Sequence, residues 1–162
     1  MNDELVPLTV LLQAERTATW LYAGIGVKLK WSSAGKYGLS MQFDSGLPDW
    51  FHPGALAHSM PYAQTGTRVH VLVPVARSGV ETARGSAIGD VLAHEFAHIL
   101  RGFTHHSEAG VMKARWDNGD LEQMMRRPLA FSAHQDAAAI RSGLAKVLAR
   151  STGSLADPAE RR

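Results

Sequence analysis

Residues 85–112 read GSAIGDVLAHEFAHILRGFTHHSEAGVM, and the rest of the chain is arranged to hold this stretch. Ile88, Leu92, Phe96, Ile99 and Phe103 recur at spacings of three and four, which predicts a helix over about Ser86 to Arg101 with one apolar face for a core. His94 and His98 fall on a different face. Four residues apart on a helix, their imidazoles stand one turn above the other and can aim nitrogens at one metal ion. Glu95 is rotated by one residue and points past that ion. The offset suits hydrolysis, because a carboxylate that is not a ligand can take the proton of a water whose pKa the ion has lowered. Histidine and glutamate on an exposed helix are usually only solvated. Here the apolar face is intact, and further histidines and a Gly-Val-Met follow at once.

A zinc centre needs at least three protein ligands and an open position. After His98 the chain reads Ile99-Leu100-Arg101-Gly102-Phe103-Thr104-His105-His106-Ser107. Gly102 is read as the helix stop, after which His105 or His106 can return to the metal. The stretch resembles the metzincin pattern H-E-x-x-H-x-x-G-x-x-H with its methionine turn, without matching it. Gly102 comes one residue late, with Arg101 in its usual place, and Thr104 stands where the third histidine would be. A second resemblance is to a group of small bacterial zincin-like proteins with the pattern HExGHLLLGxxxHSxxGxMxxxW. The corresponding residues are His94-Glu95-Phe96-Ala97-His98-Ile99-Leu100-Arg101-Gly102, then His106-Ser107, Gly110-Val111-Met112 and Trp116. This resemblance covers most of the chain loosely and residues 85–116 specifically. It departs at Ala97, which stands in place of a glycine and is easily tolerated in a helix.

The resemblance implies His106 as the third ligand beside His94 and His98, Zn2+ as the metal and Glu95 as the general base. It also implies a peptide or protein as substrate. His105 is the competing ligand candidate. Met112 is read as packing beneath the site, since a methionine near a turn commonly fills a gap in the core. Metzincins often carry a tyrosine shortly after that methionine; here Lys113, Ala114, Arg115 and Trp116 follow, so the sequence names no group to stabilise an oxyanion.

With 162 residues the chain fits one domain with a real core. Seventeen basic against fifteen acidic residues leave a formal charge of +2, too balanced to argue for a nucleic-acid partner. Without cysteine there is no thiolate metal site, so any zinc must be held by histidine and carboxylate. No run is long enough to span a membrane. The apolar run Leu5 to Leu12 follows Asp3 and Glu4 and contains Pro7, unlike a signal peptide, so the chain as written is expected to be cytoplasmic.

The remaining chain gives an order of elements. A helix is expected from about Pro7 to Ala23, on the period of Leu8, Leu11, Ala14, Ala18, Leu21 and Tyr22. The alternation in Val27-Lys28-Leu29-Lys30-Trp31 predicts a half-buried strand, a turn over Ser32 to Gly35 follows, and Leu39 to Phe43 predicts a second strand. Asp44 to Gly66 is read as a long loop in which His52 and His58 are solvated histidines. Arg68 to Val73 is either an edge strand able to pair with an extended peptide or a fully internal one. Asp117 and Asp120 open a helix through Leu121, Met124 and Met125 that stops before Pro128, with both methionines in the core. Ser132-Ala133-His134-Gln135 is read as a capping box for a last helix ending near Arg150. The expected fold is therefore α+β: a single zincin-like metallopeptidase domain over 1–150, with a small mixed sheet packed on the N-terminal and His-Glu helices, C-terminal helices after it, and a flexible tail over 151–162.

Three functions compete. The first is a zinc metallopeptidase using His94, His98, His106 and Glu95. The second is a gluzincin-type peptidase with Glu122 as third ligand. The third is a zincin-like module that binds metal without turnover. Gly102, His106, Ser107 and Met112 form one pattern and favour the first, whereas a lone glutamate is common on helix surfaces.

Overall fold

The computed structural model describes residues 6–32, 40–44, 57–60, 68–72, 81–101, 106–131 and 133–153. These are mostly helical and include a small three-stranded sheet. The elements are α1 (Leu8–Gly24), β1 (Ser40–Asp44), β2 (Ala57–Met60), β3 (Arg68–Leu72), α2 (Glu81–Arg101), α3 (Asn118–Arg126) and α4 (Ala133–Gly153). Helix α2 is the hub, in contact with α1, α3, α4, β2 and β3.

The α1–α2 contact depends on small residues. A Cβ at Gly85 or Gly89 would overlap Gln13, Thr17 and the α1 backbone. Ala93 and Ala97, both fully buried, continue the same every-fourth-residue stripe. Without side chains between them the backbones approach closely, and the Tyr22 hydroxyl donates to the Ala93 carbonyl at 3.0 Å. Opposite the stripe α1 supplies Val10, Leu11, Ala14, Ala18, Leu21 and Tyr22 to the core. Leu8, Leu12 and Trp20 lie on its exposed side, so Leu8 does not join the buried period expected of it.

Several sequence expectations are corrected. Helix α2 begins at Glu81, five residues before the expected Ser86, because Gly85 does not break a helix packed this tightly against α1. Val27 to Trp31 is not a strand. Its side chains still alternate, with Val27 buried, Lys28 and Lys30 exposed and Leu29 and Trp31 half-buried. A two-residue period reports faces, not which backbone bonds form. The segment is tied to α1 instead: Val27 N–H donates to Tyr22 O at 2.9 Å, and Trp31 Nε1 donates to Thr19 Oγ1 at 2.8 Å.

The region read as a long loop contributes β2, which pairs antiparallel with β3. Strand β3 also pairs in parallel with β1, so the order is β1-β3-β2 and the Arg68 strand is central rather than an edge. Val69 and Val71 on β3 and Phe43 on β1 are buried on one face. Two flanking strands cover both sides of β3, which leaves its backbone no free edge.

Asp117 caps α3 through a reciprocal box with Asp120. Met124 is fully buried, but Met125 is about half exposed: consecutive positions on a one-sided helix cannot both face the core. Helix α4 runs to Gly153, so residues 151–153 belong to it and not to a tail, since Ser151 and Thr152 continue the helix without a proline. Gly143 on α4 sits directly on the last turn of α2, where a Cβ would overlap the Leu100 carbonyl. The expected turn at Ser33 to Gly35, the Gly102 stop, His52, His105, the Ser132 cap and residues 154–162 lie outside the described residues. No helix among the described residues is long and apolar enough to cross a membrane.

Candidate metal centre

His94 and His98 project from α2 one turn apart, and His106 comes from the segment that follows it. One nitrogen from each of the three lies within 4.8 Å of the others. The ring centroids are 4.5 Å apart for His94 and His98, 4.9 Å for His98 and His106, and 5.3 Å for His94 and His106. His94 is buried, and the other two are half-buried.

The His94 ring is fixed at its far end. Its Nδ1–H donates to the Val111 carbonyl at 2.8 Å, which leaves the Nε2 lone pair facing the other histidines. Burial pushes its pKa down to about 4, with the neighbouring His98 and His106 pushing the same way and the Val111 bond opposing them. The ring is thus neutral near pH 7, as a metal ligand must be. His98 Nε2–H donates to His94 Nε2 at 2.9 Å. A cation would replace that proton.

Three imidazole nitrogens form a donor set that could hold a divalent metal ion, zinc among them. Metal–nitrogen distances near 2.0–2.1 Å in a tetrahedral site put ligand nitrogens about 3.3 Å apart. The facing nitrogens of His94 and His98 stand 2.9 Å apart, and one nitrogen of each of the three histidines lies within 4.8 Å of the others.

The segment after α2 holds its position through backbone bonds. Ser107 N–H donates to Met112 O at 2.7 Å, Gly110 takes a positive φ of 77°, and Val111 N–H donates to Ala130 O at 2.9 Å. Gly110 supplies the left-handed turn that brings the Val111 carbonyl to His94. Met112 is fully buried in the hydrophobic core. Trp116 places its ring edge-on to His94 at 5.2 Å, and its Nε1 donates to Gly110 O at 3.4 Å.

Two buried carboxylates brace this arrangement. Asp136 on α4 accepts from Ser107 Oγ at 2.8 and 3.0 Å and from Arg101 Nη1 at 2.7 Å. It thereby joins the residue after His106 to the last turn of α2. Asp136 is buried and Arg101 half-buried, so losing Arg101 would strand the Asp136 charge, at a cost of up to about 3–5 kcal/mol. Asp90, one turn before His94, is fully buried and accepts from Leu129 N–H at 2.8 Å. Burial pushes the Asp90 carboxyl up to about 8, against a smaller opposing pull from that bond.

The structure brings His94, His98 and His106 together and places Glu95 beside them in sequence, buried on α2. Glu122 does not join the cluster. It lies exposed on α3, 3.9 Å from Arg126. Sequence reading missed Asp90, Arg101, Asp136 and the Val111 and Ala130 carbonyls. A buried aspartate looks like a surface one in sequence, and backbone carbonyls leave no signal at all. Comparison with family models, curated proteins and solved structures gave no match.

Proposed function

We propose that this chain is a zinc-dependent hydrolase with a zincin-like fold, acting on peptide bonds. The observation that carries the reading is the convergence of His94, His98 and His106, with the His94 tautomer set so that Nε2 faces the cluster. A zinc ion bound there would polarise a substrate carbonyl and lower the pKa of a water molecule. Glu95 is a buried carboxylate outside the three-nitrogen set; as general base it takes the water's proton and passes it to the leaving amine. Val111 O holds the His94 ring, and the Trp116 ring packs against it at a steep angle. Among the described residues β2 is an edge strand, antiparallel to β3 and in contact with α2. It takes over the substrate-pairing role that the sequence reading offered to the Arg68 strand.

The second reading is a metal-binding module without turnover. What favours it is the absence of a phenol after Met112, together with the commitment of the buried Tyr22 hydroxyl to Ala93 O. One experiment separates the two. The parent should bind about one zinc per chain and cleave members of a mixed peptide library in a chelator-sensitive way. Glu95→Gln should keep the metal and lose at least about a hundredfold in rate. A zinc-loaded parent that cleaves nothing would favour the module, and cleavage undiminished in Glu95→Gln would end the general-base assignment.

A further inference from the structure

Asp90 is a costly residue where it stands. It is fully buried, and its Oδ2 has no hydrogen-bond partner. Leaving a polar atom unpaired in a core costs about 1–3 kcal/mol. Its one bond, from Leu129 N–H, follows Pro128, which has no N–H of its own to anchor the segment. Leu129 is itself buried, so without Asp90 that amide would be orphaned as well.

The segment held by Asp90 leads to the metal centre. The residue after Leu129 is Ala130, whose carbonyl accepts the Val111 N–H. Val111 in turn presents the carbonyl that receives His94 Nδ1–H. The path leaves α2 at Asp90, crosses two strands of irregular backbone and returns to α2 at His94, one turn further on. Each link measures 2.8 or 2.9 Å.

The geometry points to Asp90 as a positioning residue for the metal centre: by holding Leu129 it fixes, through Ala130 and Val111, the carbonyl that selects the His94 tautomer. The inference rests on the zinc-site reading for its consequence, not for its geometry. His94 with its proton on Nε2 has no lone pair to offer the cluster, so loss of the Val111 bond weakens zinc binding without touching a ligand. Partners of this kind are generally worth about 10–100-fold in metal affinity.

The test compares Asp90→Asn, which keeps an oxygen for Leu129 N–H, with Asp90→Leu, which fills a similar volume and has no acceptor. Two readouts are needed: the long-range proton–nitrogen NMR pattern of the His94 ring in metal-free protein, and the zinc dissociation constant by competition with a chromophoric chelator. The expected result is a single Nδ1–H pattern and near-parental affinity in the asparagine variant. The leucine variant should show mixed tautomers and affinity weakened about tenfold or more. A leucine variant that keeps the parental His94 pattern and zinc affinity within about twofold, losing only Tm, would make Asp90 merely structural and overturn the inference. If the leucine variant does not fold, hydrogen exchange in the parent decides: Leu129 N–H, Val111 N–H and His94 Nδ1–H should open together, and independent opening overturns the relay. A parent that binds no zinc defeats the metal reading, and the His94 pattern then decides the relay alone.

Discussion

Asp90 makes the pH dependence of stability a sharp test of the core. Burial pushes its carboxyl up to about 8 in the folded protein from the ordinary 3.8 of an aspartate, so between those pH values the folded state holds a proton that the unfolded state has released. The sign follows: stability associated with Asp90 is fully present below about pH 3.8 and is lost as pH rises through about 8. At 1.36 kcal/mol per pH unit, the rise from pH 5 to pH 8 removes at most about 4 kcal/mol, and relaxation or water entry reduces this to about 2–4 kcal/mol. Asp90→Asn cannot titrate and keeps an acceptor for Leu129 N–H; its unpaired amide costs a constant amount at every pH. Urea unfolding of parent and variant at several pH values, at constant ionic strength, gives the difference curve. Other titrating groups, His94 included, cancel in that difference. The variant should gain on the parent by about 2–4 kcal/mol between pH 5 and pH 9, with most of the change complete by about pH 8. Parallel curves within about 0.5 kcal/mol would refute the burial argument.

Other outcomes follow from the same geometry. His106→Ala should abolish stoichiometric zinc binding while His105→Ala and Glu122→Ala leave most of it, as read by elemental analysis; the reverse pattern would move the ligand role to His105 or Glu122. Zinc affinity should fall as pH drops through the ordinary histidine range, because ligands must shed protons, while His94, held at about 4, competes little for protons above pH 5. A chelator titration showing affinity flat from pH 8 to pH 5 would contradict histidine ligation. Gly143→Ala should destabilise the fold by at least about 1–3 kcal/mol, since its methyl would overlap the Leu100 carbonyl and push α4 off α2. An unchanged urea midpoint would refute that close approach.

Much of the centre was legible in advance because a helix converts spacing into direction. His94 and His98, four apart, had to share a face, and the apolar period of Ile88, Leu92 and Phe96 said which face was the core. The Asp117–Asp120 box marked the start of α3 for an equally local reason. Local signals failed where pairing was at stake. The period in Val27 to Trp31 predicted the burial of its side chains but not its backbone partners, and the strand at Ala57 was too short to stand out from its loop.

By itself, then, the sequence determined the helix that carries His94 and His98, offered His105 and His106 as candidates to join them, and made Met112 a core residue, because each depends on residues within a few turns of one another. Only the tertiary structure decided the rest. Strand order made Arg68–Leu72 central and left β2 beside α2, since which strands pair depends on how the whole core closes. The braces at Asp136 and Asp90 join residues 29 and 39 positions apart. No periodicity spans such distances, and a buried carboxylate becomes distinguishable from a solvated one only when the surrounding elements have closed over it.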